Sequence, residues 1–366
     1  MKKLLIITNI PSPYRVDFFY YLQKHVDDFE IHILFQSDNA SSFRTWDGGE
    51  SKLKNVHFLK SKVIRATGND ITEKFIPTGC KRELDSIRPD VVVCMEYNPT
   101  ALITKHWCNV NKVPYISWSD GTRHAERNIK FFQKWFRKYI VRNTAAFIAS
   151  SKKTKENQIY LGASADKIFQ STLAIDIDRY RDAGHDYKQC NNMIVVGSLI
   201  NRKGIDLLLD ALGLLKDYDW KLELVGDGPE KENLLDQARK LGIEERIVFC
   251  GYLSGVDLTR AYEKSGMMIF PTREDCFGLV TLEAMCCGLP VISSKYADSA
   301  YDLIDEGTTG LIVDPYDKKE MAEAIKRLLT DRECCISMSN EAKRKSLDYS
   351  FEKTSVGFME AVRSVL

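Results

Sequence analysis

The sequence predicts an α/β protein built from two doubly wound domains, each a parallel sheet covered by helices. Three observations carry this prediction. The chain has 366 residues, more than one ordinary hydrophobic core needs. Short apolar runs rich in valine and isoleucine alternate with longer amphipathic segments throughout the chain. These runs form two sets of six, one on each side of a polar stretch at 181–192.

Each set of apolar runs predicts the strands of one sheet. In the first half the predicted strands are 4–8, 31–35, 56–59, 90–95, 114–118 and 145–149. In the second half they are 193–197, 221–226, 246–251, 267–271, 290–294 and 310–314. The resulting division has an N-terminal domain at 1–180, a linker at 181–192, a C-terminal domain at 193–348 and a terminal helix at 349–366.

Composition narrows the class of protein. The 52 basic and 51 acidic side chains nearly cancel, which argues against a nucleic-acid partner. The ten cysteines include no C-x-x-C pair and no histidine cluster at zinc spacing, so we expect a cytoplasmic protein without disulfides or structural metal. The opening MKKLLIIT is too short for a signal-peptide core, and no run approaches the roughly 20 apolar residues of a spanning helix.

A phosphate site is predicted where the first strand of the second half ends, in VVGSLINRKGIDLLLDAL at 195–212. Gly197 and Ser198 form a turn, and Arg202 with Lys203 stands just before a helix with one apolar face. Outward-facing backbone amides and a basic pair suit a diphosphate. An ordinary strand-to-helix turn with solvated basic residues explains the pattern equally well.

A second glycine turn follows the next strand, in VGDGPE at 225–230. Lys231 occupies the third glycine position of the dinucleotide fingerprint, which disfavours a nicotinamide dehydrogenase. We therefore interpret Gly226 as part of a tight turn beside a ligand.

Three acids surround a helix start in TREDCFGLVTLEAMCCGLPVI at 272–292. Gly278 permits close approach of a ligand, and the first-turn amides after it are donors for phosphate oxygens. Glu283 lies about one turn into the helix, where its carboxylate suits a ribose, while Asp275 or Glu274 suits another polyol. The alternative is that the acids only favour a helix N-terminus. The first-turn amides belong to Leu279 and Val280.

Polar side chains also follow strands in the first half. NIPSPYRVDFF at 9–19 presents Arg15, with Tyr14 beside it, to an anionic acceptor or a donor phosphate. SWSDGTRH at 117–124 offers Asp120 or His124 as a polar group near the transferred sugar, and Glu96 follows another strand. A structural aspartate in a turn explains Asp120 as well, and Glu96 is equally open.

The segment RNIKFFQKWFRKYIVR at 127–142 predicts a helix with aromatic and basic residues interleaved. Aromatic anchors beside basic residues suit an anionic membrane surface. The alternative is a core helix whose lysines reach out to solvent. The aromatic side is Phe132, Trp135, Phe136 and Tyr139, and the basic residues are Lys130, Lys134, Arg137, Lys138 and Arg142.

Several of these motifs resemble the family 4 glycosyltransferases, which have the GT-B fold. DCFGLVTLEAMCCGLPV is similar to their E-x7-E signature, with Glu283 as the second acid and Asp275 at the first position. The resemblance covers nearly the whole chain and is more specific in the second half. It also includes VGSLINRKG, LVGDGPE, RIVFCGYL, LAIDIDRY at 173–180 and GTTGLIVDP at 307–315.

The resemblance implies two Rossmann-like domains facing a cleft, with the terminal helix packing back towards the first domain. It implies that Arg202 and Lys203 hold the donor diphosphate and that Glu283 holds the ribose. Asp275 or Glu274 would hold the sugar. The base would lie along Gly251, Tyr252 and Leu253.

Three features of the sequence qualify the resemblance. Asp275 is one methylene shorter than the usual glutamate, which leaves its role and that of Glu274 open. Ser198 stands where many relatives carry an arginine, so Arg202 is a candidate substitute. The DID at 176–178 matches the family's domain-junction segment, so we do not expect it to bind metal.

The implied activity is retaining, metal-independent transfer of a sugar from a nucleotide diphosphate sugar, UDP- or GDP-linked, to a glycan or lipid-linked acceptor. The expected setting is cell-surface polysaccharide or glycoconjugate synthesis, with no cofactor besides the donor substrate. The expected location is cytoplasmic, with the inner membrane face as a candidate partner through 127–142. The alternatives are a nucleotide-sugar epimerase of the same fold and a non-catalytic binding subunit.

Overall fold

The computed structural model describes residues 1–37, 49–66, 72–180, 183 and 191–366. The chain divides into two compact units, which are Met1–Ile175 with Phe351–Leu366 and Asp176–Ser350. The boundary in the sequence prediction differs, because residues 176–180 belong to the second unit, where the short turn Ile177–Tyr180 contacts the helix that begins at Leu279. Most of the predicted linker at 181–192 lies outside the described residues.

The first unit is built on a seven-stranded parallel sheet with the order β3-β2-β1-β6-β7-β8-β9. Residues 4–7 of β1 are fully buried, as expected for a strand covered by helices on both faces. The strands of this sheet are β1 (Lys2–Thr8), β2 (Phe29–Phe35), β3 (Val56–Phe58), β6 (Val91–Met95), β7 (Tyr115–Ser119), β8 (Ala146–Ala149) and β9 (Ile168–Gln170).

An antiparallel hairpin of β4 (Lys60–Ala66) and β5 (Thr72–Thr78) lies between β3 and β6 in the chain. Neither this hairpin nor β9 was predicted. Strand β9 is only three residues long, and the hairpin sequences KSKVIRA and TEKFIPT contain no continuous apolar run. The helices of the unit are α1 (Pro13–His25), α2 (Cys80–Ile87), α3 (Pro99–Asn111), α4 (Phe131–Val141), α5 (Lys152–Leu161) and α13 (Phe351–Arg363).

The second unit contains a six-stranded parallel sheet with the order β12-β11-β10-β13-β14-β15, the arrangement of a doubly wound nucleotide-binding domain. Its strands are β10 (Asn192–Val196), β11 (Lys221–Val225), β12 (Ile247–Gly251), β13 (Met267–Phe270), β14 (Val291–Ser294) and β15 (Gly310–Val313). Its helices are α6 (Ile205–Leu212), α7 (Lys231–Leu241), α8 (Gly255–Glu263), α9 (Leu279–Cys286), α10 (Ala300–Leu303), α11 (Lys318–Thr330) and α12 (Arg332–Ser346).

All twelve predicted strands are present, so the prediction of two doubly wound parallel-sheet units is confirmed. In such sheets ligands bind beyond the carboxyl ends of the strands, at the point where the strand order reverses. That point lies between β1 and β6 in the first unit and between β10 and β13 in the second. Arg15 and Glu96 follow β1 and β6 in the chain, and the basic pair and Asp275 follow β10 and β13.

The helix predicted at 127–142 is shorter in the structure, and several of its aromatic side chains are exposed, unlike those of a core helix. Helix α4 buries Ile140 and Val141 but leaves Phe132 64% and Trp135 63% exposed. The core-helix interpretation is therefore wrong for these aromatic side chains. Among the described residues, no helix combines the length and apolar character that crossing a membrane requires.

Candidate active site

The basic pair of the second unit lies in a tight turn between β10 and α6. A single 3-10 turn, Asn201–Lys203, ends at Gly204, and the Lys203 side chain lies beside Gly197 at the end of β10. The Lys203 side chain is only 14% exposed, and its ammonium lies 5.1 Å from the centre of the Phe270 ring. The turn thus holds this lysine at the carboxyl edge of the sheet.

Asp275 meets this basic pair from the loop after β13. Its Oδ2 accepts a hydrogen bond from Lys203 Nζ at 2.6 Å and lies 3.4 Å from Arg202 Nη1. Its Oδ1 accepts the backbone N–H of Phe277 at 3.2 Å. Because β10 and β13 are adjacent in the sheet, residues far apart in sequence come together here.

Opposing effects set the ionisation of Asp275. Burial by itself would raise the pKa of this carboxyl. The positive charges of Lys203 and Arg202, with hydrogen bonds from Lys203 and the Phe277 amide, outweigh burial and lower the pKa below its ordinary value. Asp275 is therefore ionised, and its carboxylate is paired with Lys203 and Arg202, the two residues predicted to bind phosphate.

The loop that carries Asp275 is tied to the basic turn by further bonds. Arg202 Nη1 donates to the carbonyl oxygen of Glu274 at 2.8 Å, and the amide of Arg273 donates to the Arg202 carbonyl at 2.8 Å. The guanidinium of Arg273 also donates hydrogen bonds to both carboxylate oxygens of Asp206, at 2.7 and 2.6 Å. The Asp275 carboxylate therefore contacts both cations, and the backbone carbonyl of Glu274 accepts a hydrogen bond from Arg202.

Helix α9 begins directly after this loop. Gly278 is its N-cap residue with φ of 76°, and a Cβ at this position would lie 2.5 Å from Cε1 of Phe270. The first turn of α9 contains no acidic residue, and no side chain caps it. The backbone amides of this turn, including those of Leu279 and Val280, therefore have no acidic side chain within the turn to bond to. This helix start can therefore receive an anionic group.

Glu283 lies in the middle of α9 and is held by two tyrosines. Tyr262, fully buried in α8, donates to Glu283 Oε2 at 3.0 Å, and the Tyr180 hydroxyl also bonds to the carboxylate. Burial raises the pKa of Glu283, and the two tyrosine hydrogen bonds only partly offset that effect. A carboxylate fixed in this way can accept hydrogen bonds from ligand hydroxyls with little reorganisation.

The tyrosines were missed by the sequence analysis. Tyr262 has no motif of its own, because its role depends on how α8 packs on α9. Tyr180 is the last residue of the segment LAIDIDRY, so its place in a motif typical of the domain junction could have pointed to it. In the same segment Asp176 forms an ion pair with Arg179 at 3.3 Å.

The glycines at the ends of β10, β11 and β12 come close to one another. The Gly226 amide donates to the Gly251 carbonyl at 2.8 Å, and a Cβ on Gly226 would lie 2.0 Å from the carbonyl oxygen of Gly197. Beyond Gly251, Tyr252 is 57% exposed and Leu253 is half-buried, while Ser198 is exposed on its own turn. The ends of these three strands therefore lie close together, and the Tyr252 ring beside them is exposed to solvent.

A second polar cluster lies at the strand-order reversal of the first unit. The Arg15 Nη2 donates to Asp120 Oδ2 at 2.7 Å, and its Nε donates to the Tyr14 hydroxyl at 3.0 Å. The other oxygen of Asp120 accepts a hydrogen bond from the Ser150 hydroxyl. The Arg15 Nη1 is buried and has no hydrogen-bond partner, so the guanidinium retains donor capacity for a ligand.

Glu96 belongs to this cluster. Its φ of 68° is an unusual backbone conformation for a residue with a side chain. Burial and the neighbouring charge of Asp120 raise the pKa of Glu96 to about 8, although Arg15 opposes this change. His124 lies in the turn that follows Asp120, where its carbonyl oxygen accepts a hydrogen bond from the Arg127 guanidinium at 2.6 Å.

Comparison with known proteins agrees with this geometry. Residues 176–345, just under half of the chain, match the family model described as "Glycosyl transferases group 1". They form a group 1 glycosyltransferase domain. The match includes the basic turn, Asp275, α9 and Glu283.

Two relatives support the assignment of this domain. An uncharacterized glycosyltransferase of Methanocaldococcus jannaschii is 26% identical over 349 residues, covering 92% of this chain and 90% of its own. An uncharacterized glycosyltransferase of Haemophilus influenzae is 32% identical over 163 residues, covering 44% of this chain. The chain spans 46% of the length of the Haemophilus relative.

A solved structure supports the fold. The Anabaena protein HepE, crystallised in complex with UDP, has a TM-score of 0.80 and 17% identity, with both chains covered completely. The fold is therefore GT-B, with two Rossmann-like units, as the resemblance implied.

Proposed function

We propose that this protein is a retaining hexosyltransferase that transfers a sugar from a UDP- or GDP-linked donor to a glycan or lipid-linked acceptor. The proposed role is in the synthesis of cell-surface polysaccharide or glycoconjugate. The observation that carries the proposal is the meeting of Lys203, Arg202 and Asp275 beside the start of α9. The match of this region to group 1 glycosyltransferases supports it.

The proposed diphosphate site consists of Lys203, Arg202 and the first-turn amides of α9. A diphosphate competes with the Asp275 carboxylate for both cations, because each ligand is an anion of similar hydrogen-bonding geometry. Its arrival releases Asp275 to accept hydroxyl bonds from the donor sugar, with Glu274 as the neighbouring alternative. Preorganised donors of this kind stabilise developing charge by about 3–4 kcal/mol each.

The proposed nucleoside site lies beside Glu283. Its carboxylate accepts hydrogen bonds from ribose hydroxyls, while Tyr262 and Tyr180 hold it in place. The base lies along Gly251, Tyr252 and Leu253, where the exposed ring of Tyr252 can stack on it. The UDP in the Anabaena neighbour makes uridine nucleotides the first ligands to test.

The proposed acceptor site is the cluster of the first unit. The unpaired nitrogen of Arg15, with Tyr14 and Glu96 beside it, binds acceptor hydroxyl or anionic groups. Asp120 is the polar group proposed nearest the transferred sugar, and His124 is its alternative. Acceptor selection and donor binding thus depend on different residues.

The proposed reaction needs neither a resident cofactor nor a metal ion. Lys203, Arg202 and the helix start neutralise the leaving diphosphate. A phosphate oxygen of that leaving group takes the proton from the attacking acceptor hydroxyl on the same face of the sugar. The new bond therefore keeps the anomeric configuration of the donor. We place the reaction in the cytoplasm, an assignment that the free thiols of the nine described cysteines support.

A thermal-shift screen of nucleoside diphosphates and their sugars tests the donor proposal. A ligand at about 100 times its Kd stabilises a protein by about 2.7 kcal/mol, which gives a readily measured shift. We expect UDP or GDP to stabilise the wild-type chain and to have little effect on the Glu283→Ala variant. No shift with any nucleoside diphosphate would contradict the proposal.

Incubation with the stabilising nucleotide sugar separates transferase from epimerase activity. Release of nucleoside diphosphate that increases when acceptor sugars are added supports transfer. Conversion of the donor into an epimer without any acceptor would favour the epimerase. Binding with neither product would assign the chain as a non-catalytic subunit.

A further inference from the structure

One side of helix α4 is anchored in the first unit. Phe136 packs against the core and Ile140 is fully buried. Arg137, although part of the basic sequence, bonds to Glu126 at 2.6 Å with both side chains only 13% exposed. The orientation of the helix is therefore fixed, and its opposite side must face outward.

The outward side of α4 carries large aromatic side chains. Phe131 is 85% exposed, Phe132 64%, Trp135 63% and Tyr139 41%. Trp135 and Tyr139, one turn apart, stack with their ring centres 5.8 Å apart. A cluster of exposed aromatic rings on one fixed helix face is unusual for a surface that meets only water.

A groove between α3 and α4 extends this apolar face. Its volume is about 730 Å³. The apolar residues that line it are Leu102, Ile103, Trp107, Val110, Trp135 and Tyr139. Val110 is 67% exposed at its edge. The acid at the rim, Asp85, is paired with Lys81 at 2.7 Å.

The charge carried by the segment 127–142 has one sign. Residues 127–142 contain six arginines and lysines and no acid. Lys130, Lys134, Lys138 and Arg142 are exposed. Basic residues near an anionic membrane surface each contribute about 1 kcal/mol of attraction, and aromatic rings favour the interface between headgroups and hydrocarbon.

We propose that the outer faces of α3 and α4 dock on an anionic lipid bilayer. The exposed aromatic rings enter the interface, the α3–α4 groove receives hydrocarbon, and the lysines of α4 lie against the headgroups. The proposal contains none of the donor or acceptor residues. Its failure would leave the proposed function unaffected.

Vesicle co-sedimentation of the full chain tests the proposal. The lipids are phosphatidylcholine alone, or phosphatidylcholine mixed equally with phosphatidylglycerol. We expect binding to the mixed vesicles at low salt, weaker binding at high salt, and little binding to phosphatidylcholine alone. Equal binding to both lipids, or none to either, would overturn the proposal.

Two variants identify the surface. Lys134→Glu with Lys138→Glu is expected to weaken binding by about a hundredfold or more, because attraction is replaced by repulsion at two positions. The matched control is Lys318→Glu with Lys319→Glu, two exposed lysines of α11 in the second unit, which should bind as the parent does. Equal loss in both double variants would overturn the assignment to α4.

The apolar contribution is tested with Phe131→Ser and Trp135→Ser together. These side chains are exposed, so the variant should keep the unfolding temperature of the parent while losing vesicle binding. Sedimentation equilibrium tests whether a second copy of the chain occupies this face instead. A dimer that this variant abolishes, without any lipid binding by the parent, would overturn the proposal and assign the face to self-association.

Discussion

Lys203 and Asp275 are 72 residues apart in sequence, and their charged groups meet at 2.6 Å. The contact arises because β10 and β13 are neighbours at the point where the strand order reverses. It places an acid, two cations and a helix start in one small region. The proposed donor site depends on this arrangement.

The first prediction concerns the ion pair itself. Lys203→Ala should lower turnover by about a hundredfold or more, because the leaving diphosphate loses a fixed donor. Steady-state kinetics with the donor found in the thermal screen measure this effect. Lys240→Ala, an exposed lysine of α7, is the control and should keep the parental rate.

The pair also contributes to stability. A double-mutant cycle of Lys203→Met and Asp275→Asn should give a coupling of about 0.5–3 kcal/mol in denaturant unfolding, because both side chains are largely buried and in contact. Additive effects of the two substitutions would show that the contact does not stabilise the folded chain.

A third prediction separates the carboxylate of Glu283 from the group that positions it. Glu283→Ala should reduce turnover by about a hundredfold, since it removes the proposed ribose acceptor. Tyr262→Phe should have a smaller effect and act mainly on donor KM, because the carboxylate remains but loses one hydrogen bond. The reverse order of severity would contradict the assigned roles.

The backbone at Gly278 gives a stability prediction with a matched control. Gly278→Ala combines a positive φ of 76° with a Cβ that would lie 2.5 Å from Phe270, so it should destabilise the chain strongly. Gly307→Ala has a φ of 77° and no atom within 4 Å of the added Cβ, so about 1–2 kcal/mol of backbone strain is expected alone. If the two variants lose equal amounts of unfolding free energy in urea, the contact with Phe270 adds nothing to the backbone strain and the prediction is wrong.

Glu96 predicts a pH dependence of stability. Its pKa is raised from 4.5 to about 8, so between these values the folded chain keeps a proton that the unfolded chain releases. This contribution to the free energy of unfolding is present below pH 4.5 and declines as pH rises to about 8. Glu96→Gln, which cannot ionise, should lack this decline. The exposed Glu245→Gln should retain it.

Much of the fold could be predicted because continuous Val/Ile runs mark buried parallel strands. The same pattern missed β9 and the β4–β5 hairpin, whose sequences lack such runs. Their existence depends on neighbouring strands and helices, and local sequence does not carry that information.

The candidate site shows a similar division. Lys203, Asp275 and Glu283 stand after predicted strands, so their positions follow from the order of elements. Which of Glu274 and Asp275 faces the cations depends on the path of one loop, which a list of residue types does not specify. Tyr262 was missed for a related reason, because its hydroxyl reaches Glu283 only through helix packing.

The face of α4 is a further example. Its aromatic residues lie on one side with basic residues interleaved, and this pattern was compatible with a buried helix or a membrane contact. In the structure Phe136 is half-buried against the core, whereas Phe131 and Trp135 are exposed, which excludes the core-helix interpretation for the exposed rings.

Calorimetric titration with UDP and GDP is the most direct test of the proposed donor site. We predict that the parent binds at least one of them, and that Lys203→Met and Glu283→Gln each weaken this affinity by about tenfold or more. Arg15→Lys, in the proposed acceptor cluster, should bind it with unchanged affinity. Failure of the parent to bind either nucleotide, or undiminished binding by both donor-site variants, would contradict the account.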